Sequence, residues 1–393
     1  MGLASATVIA GVASLSRAFL SLGCNSFEVR GLDRFLRILH SPERRQSRTG
    51  LLTYANHVSV LDEPLLWGTL PFRGSVNPLR PAQTLPPPFY TSNPAENARW
   101  TLAASDIVYK NAAMAAFFNT GQVLETFRGA SPFQPALDRA LEILDKGRWV
   151  HVFPEGYVNL SRTTDLRRFK WGISRMAMEA DRAPVCIPIW ITGFDQVMPE
   201  PRSAPRWLPR LGASVTVTFG RPVSQAAMQR VFTADSRCIG AVPSKAEDDA
   251  STSLTEQERR HREGHYWESA WQPDVETLGL PEDWETRSGY ESLHSQSPSS
   301  SSATYAPPPP QNSHYPPLAT HKPPPQGWPT NPPHSRAARA LQLESTHPER
   351  ASVRSAFAAL LRAEMARLGM CVRREMGDGD GEGRLAHTIM QQS

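Results

Sequence analysis

The clearest candidates for chemistry are a histidine and an aspartate in the segment Asn56-His57-Val-Ser-Val-Leu-Asp62. At about 100° per residue their side chains would lie ~140° apart on a straight helix, so they meet only if the chain turns between them. The apolar run just before them, residues 51–55, predicts a strand. If Asp62 lies in the first helical turn after it, its carboxylate can hold one imidazole nitrogen while the other acts as a general base.

A second candidate motif, Phe153-Pro154-Glu155-Gly156, follows the predicted strand 149–153. Proline stops the strand and glycine permits a tight turn, so Glu155 is expected at the edge of the sheet. Its carboxylate there would bind a substrate hydroxyl or orient a basic side chain. The alternative is an ordinary glutamate in a turn.

Positive charge accompanies both motifs. Arg128 and Gly129 follow the predicted strand 122–127, and Lys170 lies in the cluster Arg-Arg-Phe-Lys-Trp-Gly at 167–172. Residues 1–230 hold 26 Lys and Arg against 17 Asp and Glu, whereas the remainder has a net charge of −5. An arginine fork suits a phosphate, and a basic domain suits phosphate, nucleic acid or anionic lipid. A solvated basic face is the alternative for the second cluster.

The elements expected to position these residues alternate between strands and helices. Further apolar runs predict strands at 186–191 and 214–219, and helical patterns lie between the strands, near 106–118, at 135–146 and at 171–180. This alternation is typical of an α/β fold, in which a single domain carries a mixed, mostly buried β-sheet flanked by helices.

The chain divides into five predicted segments. An apolar membrane-associating helix occupies 1–30, the catalytic domain 31–235, a linker or insertion 236–351, a C-terminal helix 352–370 and a flexible tail 371–393. The linker includes the disordered segment 294–335, which holds 13 of the 36 prolines. Residues 185–194 are a second membrane candidate, although a buried strand is favoured there.

Several other chemistries are disfavoured. The sequence lacks the G-x-S-x-G, G-x-x-x-x-G-K-[ST] and G-x-G-x-x-G patterns, which argues against serine hydrolases, P-loop NTPases and dinucleotide enzymes. The four cysteines are far apart, so no disulfide framework or zinc module is indicated. A metal site at His57, Asp62 and Glu155 lacks a second histidine at ligand spacing.

Taken in order, the His57 block, Arg128-Gly129, the Phe153 block and Ile187-Pro-Ile resemble the four blocks of the glycerolipid acyltransferase superfamily. Three details resemble its tafazzin family: Asp-Glu-Pro-Leu-Leu-Trp-Gly at 62–68, His-Val-Phe-Pro-Glu-Gly at 151–156, and Arg-Phe-Lys-Trp-Gly at 168–172. Tyr157 departs from the pattern, because that family often has a basic residue there.

This resemblance implies a transacylase that moves an acyl chain from a phospholipid to a lysophospholipid and remodels cardiolipin at a mitochondrial membrane. His57 and Asp62 would be catalytic, and Asn56, Phe153, Pro154 and Gly156 would line the substrate site. Arg128 and Lys170 would hold phosphate, with Gly129 also in the substrate site, and Glu155 would hold the glycerol. No metal, ATP or CoA is expected, and the partners would be cardiolipin, phosphatidylcholine and the membrane surface, not nucleic acid. Two alternatives remain: an acyl-CoA-dependent lysophospholipid acyltransferase and a non-catalytic protein that binds anionic lipid.

Overall fold

The computed structural model describes residues 3–70, 97–129, 131–159, 166–201, 204–239, 265–268, 270–295, 332, 334–346 and 349–378. Most of the proline-rich segment predicted at 294–335, and residues 379–393 of the predicted tail, lie outside this part of the chain.

The described strands form one sheet in the order β1-β7-β6-β2-β5-β3-β4. Neighbouring strands run parallel, except that β6 and β7 are antiparallel. The sheet is therefore mixed, which confirms the predicted fold class. The strands are β1 (Ser26–Arg30), β2 (Leu51–Ala55), β3 (Trp100–Ala104), β4 (Val123–Thr126), β5 (Trp149–Val152), β6 (Val185–Thr192) and β7 (Ser214–Phe219).

Helices cover both faces of this sheet. In chain order the described helices are α1 (Leu3–Gly23), α2 (Leu32–His40), α3 (Pro42–Gln46), α4 (Asp62–Gly68), α5 (Ser105–Val108), α6 (Ala112–Thr120), α7 (Pro135–Asp145), α8 (Trp171–Glu179), α9 (Phe194–Val197), α10 (Gln225–Ile239), α11 (His265–Glu268), α12 (Val275–Leu278), α13 (Asp283–Ser288), α14 (Tyr290–Ser295), α15 (Arg336–Thr346) and α16 (Glu349–Glu375).

Two apolar layers result from the alternation of side chains along the central strand β2. Leu52 and Tyr54 face a core shared with α7, α8 and α16, while Leu51 and Ala55 face a core shared with α1, α2 and α4. Because both faces of β2 are covered, all five of its residues are buried. This strand is thus a rigid support for the loop that follows it.

Helix α1 packs against α4 at a close contact. A Cβ atom added to Gly68 would lie 2.7 Å from Cβ of Ser16, so the glycine permits this approach. Ile9, Ala13 and Leu20 are buried, whereas Leu15 and Leu22 on another face are exposed. By length and composition α1 would be able to cross a membrane, a property it shares with core helices and signal sequences.

Two details differ from the sequence prediction. Strands β1 and β3 are additional to the predicted set, and both are short and only partly buried, so their apolar pattern is weak. The helix predicted near 106–118 is two helices, because Asn111 begins α6 by accepting a hydrogen bond from the backbone N–H of Met114. The segment 185–194, in contrast, contains the fully buried strand β6, as the sequence favoured over membrane insertion.

The region predicted as a linker, 236–351, is folded wherever the structure describes it, apart from short connections. Helix α13 is joined to α2 by a buried ion pair in which Arg34 contacts both carboxylate oxygens of Glu285, each at 2.8 Å. Ion pairs of this kind hold short helices that have little apolar periodicity of their own, so the sequence pattern did not reveal these helices.

The last helix is longer than predicted. Helix α16 spans Glu349–Glu375, so residues 371–375 of the predicted tail are helical. Its Arg354 is buried between Glu344 and Glu179. A Cβ atom at Gly369 would lie 2.5 Å from the Trp190 ring, so α16 packs tightly on β6 at this glycine.

Candidate active site

The two predicted motifs meet at one edge of the sheet. Strands β2 and β5 are parallel neighbours, with Tyr54 paired to Val152, so the loops that follow them leave the sheet side by side. The first loop carries His57 and the second carries Glu155. A ligand site at the carboxyl ends of parallel strands is the usual arrangement in α/β folds.

His57 and Asp62 are in direct contact, as the spacing predicted. Nδ1 of His57 lies 2.8 Å from Oδ2 of Asp62, and Asp62 is the first residue of α4. The same oxygen accepts hydrogen bonds from the backbone N–H groups of Val58 at 2.6 Å and Ser59 at 2.9 Å. These bonds fold the intervening residues into the turn that brings the two side chains together.

The two side chains of the His57–Asp62 pair differ in their exposure to solvent. Asp62 is fully buried, and burial raises the pKa of its carboxyl against the hydrogen bonds that favour the charged form. The His57 side chain is one-fifth exposed. With Nδ1 held by Asp62, Nε2 is the nitrogen available to a substrate. The arrangement can therefore accept a proton at Nε2 and stabilise the resulting imidazolium.

Glu155 does not line the substrate site, contrary to its predicted role. Its side chain is buried, and Oε1 accepts a 3.1 Å hydrogen bond from the backbone N–H of His57. Oε2 accepts bonds from the backbone N–H of Arg167 at 3.0 Å and from Nδ2 of Asn159 at 3.3 Å. Burial raises the pKa of this carboxyl, and the backbone bonds oppose that effect. Glu155 thus joins three loop segments and positions His57 through its main chain.

Asn56 also departs from its predicted substrate contact. Its amide nitrogen donates to the carbonyl oxygen of Ile191 at 2.9 Å, and its amide oxygen accepts from the N–H of the same residue at 2.7 Å. The side chain is buried and extends the pairing between β2 and β6. Asn56 is therefore a structural residue that fixes where the His57 loop begins.

Aromatic contacts set the orientation of the His57 ring. Phe153 stacks on it with ring centroids 4.4 Å apart, and His151 meets Phe153 edge-on at 4.9 Å. His151 is fully buried, and its Nδ1 lies 2.8 Å from the hydroxyl of Thr53. Burial, assisted by the charges of Arg99 and His57, holds the pKa of His151 well below its usual value. The second histidine is therefore neutral and adds no positive charge beside the first.

A cavity of about 1810 Å³ opens beside His57. It exceeds the about 300–1,000 Å³ typical of small-molecule pockets. Its walls are largely apolar and come from α1, α4, α6, α8 and the last helix, α16. Phe153, Pro154 and Gly156 line it, whereas Asn56, Asp62 and Glu155 are not among its lining residues.

The two predicted basic residues, and the glycine that follows one of them, lie at this cavity. Arg128, Gly129 and Lys170 all line it. Arg128 is one-third exposed and lies 3.3 Å from the exposed carboxylate of Asp106. Gly129 has a φ of 79°, in the left-handed region that glycine adopts without strain. Lys170 is fixed by a 2.8 Å hydrogen bond from its backbone N–H to the carbonyl of Pro154.

Sequence reasoning missed two contributions to the site. The ring of Tyr157 contacts both Arg128 and Lys170, which come from distant parts of the chain. Ser352, Ser355 and Ala359 of α16 line the cavity from far beyond the catalytic motifs. The helical spacing of apolar residues at 352–368 predicted a helix with a stripe facing either the core or a membrane, but not where that helix would pack. No cluster of three or more His, Cys, Asp or Glu suitable for a metal occurs within the described residues.

The sequence around this site is similar to those of several known proteins. The Acyltransferase family model matches residues 37–192. Tafazzin of Saccharomyces cerevisiae is 31% identical over 245 residues, which is 53% of this chain and 59% of the yeast protein. N-acylphosphatidylethanolamine synthase of Arabidopsis thaliana is 31% identical over 61% of this chain and 78% of the plant protein. Tafazzin of Drosophila melanogaster is 30% identical over 55% of this chain and 50% of the insect protein.

A solved 1-acyl-sn-glycerophosphate acyltransferase from Thermotoga maritima aligns with a TM-score of 0.36 and 18% identity, over 56% of this chain and 68% of that one. The family match and the order of the motifs define a glycerolipid acyltransferase domain. Within that superfamily, the chain belongs to the tafazzin family. It spans 59% of the yeast tafazzin and 50% of the Drosophila one.

Proposed function

We propose that this protein is a CoA-independent transacylase that transfers an acyl chain from a phospholipid to a lysophospholipid, with cardiolipin among its products. The observation that carries the proposal is the His57–Asp62 pair, 2.8 Å apart, beside a largely apolar cavity of about 1810 Å³. Such a space suits substrates with several acyl chains. The tafazzins among the relatives support the same activity.

In the proposed reaction, Nε2 of His57 takes the proton from the free hydroxyl of the lysophospholipid. The resulting oxygen attacks the ester carbonyl of the donor phospholipid. As the tetrahedral intermediate collapses, the departing glycerol oxygen takes the proton back from the imidazolium. Asp62 stabilises that imidazolium and fixes its orientation. One ester replaces another, so the reaction balances without ATP, CoA or a metal.

The proposed phosphate contacts are Arg128 and Lys170. Both line the cavity that His57 borders, and a guanidinium fork suits phosphate oxygens. In this scheme Glu155 positions His57 and does not bind the glycerol, because its carboxylate accepts three hydrogen bonds from the protein.

We further propose that the protein works at a mitochondrial membrane surface, on the outer membrane or on the inner membrane facing the intermembrane space. Its family resemblance supports the compartment. The exposed apolar side chains near the end of α1 support the surface, since Leu22, Trp207 and Leu211 are each about three-quarters or more exposed. Apolar groups of this kind insert into the boundary between headgroups and acyl chains.

A second candidate is supported by the plant relative, whose name describes N-acylation of phosphatidylethanolamine. The same general base could take a proton from an attacking amine, so the site chemistry alone does not separate the two acceptors. An acyl-CoA donor and a purely lipid-binding role are the remaining alternatives.

The deciding experiment supplies the purified protein with liposomes that contain phosphatidylcholine labelled in its acyl chain, lysocardiolipin and phosphatidylethanolamine, without CoA. The proposal expects labelled cardiolipin, and a loss of about 10²–10⁴-fold in rate for His57→Gln. His334→Gln, at an exposed site, is the matched control. Label in N-acylphosphatidylethanolamine supports the second candidate. Transfer that requires added acyl-CoA, or lipid binding without any transfer, overturns the proposal.

A further inference from the structure

Two cationic side chains that line the cavity lie around one aromatic ring. The guanidinium carbon of Arg128 lies 4.8 Å from the centroid of the Tyr157 ring, and Nζ of Lys170 lies 5.8 Å from it. Both distances are within the about 6 Å range of a cation–π interaction. All three side chains line the cavity, and Tyr157 is two-fifths exposed.

The backbone brings these side chains together. Gly156 has a φ of 74°, and a Cβ atom there would lie 3.3 Å from Cγ and 3.5 Å from Cε of Lys170. The absence of a side chain at this position therefore lets the stem of Lys170 pass close to the main chain. The hydrogen bond from Lys170 N–H to Pro154 fixes the start of that stem. The Gly156-Tyr157 pair thus sets the position of the Lys170 ammonium.

Two positive charges gathered around one ring repel each other, which costs free energy. The π face of an aromatic ring is negative and offsets part of this cost without adding a carboxylate that would compete with an anionic ligand. Arg128 also lies 3.3 Å from Asp106, whose carboxylate is exposed to solvent. Arg128 and Lys170 therefore bring two cationic side chains to one part of the cavity wall, where an anionic group can approach them.

We propose that Tyr157 is a positioning residue whose ring holds Arg128 and Lys170 together as a two-cation seat for the phosphate of the lysophospholipid acceptor. This inference rests on the proposed function. It assigns a role to the ring and not to the hydroxyl, because both contacts are made to the ring. The seat would distinguish phosphate-bearing acceptors from uncharged glycerides.

The kinetic test compares two acceptors that differ in charge, lysophosphatidylcholine and a monoacylglycerol with the same chain. For Tyr157→Leu, KM for lysophosphatidylcholine is expected to rise about five- to thirty-fold, the equivalent of two cation–π contacts. The value of kcat changes less than two-fold, and KM for the monoacylglycerol is unchanged. Tyr157→Phe and Tyr157→Trp keep an aromatic face, so they are expected to recover the low KM.

A binding measurement separates this inference from the proposed function. An ether-linked lysophospholipid is titrated into the protein by calorimetry with no acyl donor present, so no reaction is needed. The Kd is expected to rise about five- to thirty-fold for Tyr157→Leu and to equal the wild-type value for Tyr157→Phe. If the wild-type protein transfers no acyl chain but shows this pattern, the seat stands while the proposed function fails. An unchanged Kd, or equal losses for both acceptors, overturns the inference.

Discussion

The backbone N–H of His57 donates a 3.1 Å hydrogen bond to Oε1 of Glu155, which joins two motifs 98 residues apart in the chain. The glutamate therefore acts on the histidine through its main chain, while Asp62 holds its ring. Each carboxylate controls a different degree of freedom of one residue. The position and the orientation of His57 can accordingly be tested by separate substitutions.

The orienting carboxylate is tested by Asp62→Asn. The amide oxygen can still accept the bonds that Oδ2 now accepts from His57, Val58 and Ser59, while the negative charge that would stabilise an imidazolium is lost. We expect kcat to fall by about 10²–10⁴-fold with the protein still folded. Acyl transfer and circular dichroism measure the two effects. Asp195→Asn at an exposed site is the control, and full activity in Asp62→Asn would contradict the proposed role.

The positioning carboxylate is tested by Glu155→Gln. Glutamine has only one acceptor oxygen. Its NH₂ group would therefore face the backbone N–H of either His57 or Arg167, and two donors would meet. The free energy of unfolding is expected to fall by about 1–3 kcal/mol, and kcat to fall with it at unchanged KM. Denaturant titration and kinetics provide the measurement. A higher KM in a variant of normal stability would instead indicate that Glu155 contacts the substrate. Glu142→Gln at an exposed site is the control.

Packing of the last helix is tested by Gly369→Ala. The added methyl group would lie 2.5 Å from the ring of the buried Trp190, so the helix or the indole must shift. The free energy of unfolding should fall by about 1–3 kcal/mol, as in other overpacked cores. Gly11→Ala is the matched control, because its Cβ meets nothing within 4 Å and alanine favours helix. Equal stability of the two variants would contradict the close contact.

A pH dependence of stability is expected at His40. Burial, together with Arg45 and Arg44, lowers the pKa of His40 from 6.5 to about 4. The unfolded chain therefore binds this proton at a higher pH than the folded one, so the contribution to stability is complete above pH 6.5 and is lost as the pH falls to about 4. Relative to His40→Asn, the wild-type protein should lose about 2 kcal/mol of unfolding free energy over that range, allowing for partial exposure.

Chemical denaturation of both proteins at several pH values checks this expectation. Asp145, whose pKa burial raises to about 6, acts in the opposite sense but is present in both proteins and cancels in the difference. Parallel curves for the wild-type protein and His40→Asn would refute the prediction.

Surface binding is tested at the loop beside the end of α1. The backbone N–H of Gly212 donates to the carbonyl of Gly23 at 2.7 Å, which places the exposed Trp207 and Leu211 near that end of the helix. The double change Trp207→Ser and Leu211→Ser is expected to weaken partitioning into liposomes about ten-fold, measured by sedimentation. Leu280→Ser is the control, since Leu280 is also exposed. An equal loss in the control would contradict a specific membrane face.

The contact between His57 and Asp62 was predictable because it depends on local spacing and on a turn after a strand. The proximity of the Glu155 loop followed from the general geometry of parallel strands. The roles of Asn56 and Glu155 were not predictable, because their partners are set by the register of distant segments. Asn56, for example, bonds to Ile191, 135 positions away. Tyr157 was visible only as a departure from a pattern, since its two cations come from other loops.

Helix α16 has a consequence for the order in which this protein is made. It covers Trp190 in the middle of the sheet and supplies part of the cavity wall, yet it is encoded beyond the proline-rich segment. Chains emerge from the ribosome N-terminus first, so all the catalytic motifs are present before this wall exists. A chain that ended after the acyltransferase motifs would therefore lack part of the cavity wall and leave Trp190 uncovered on that face.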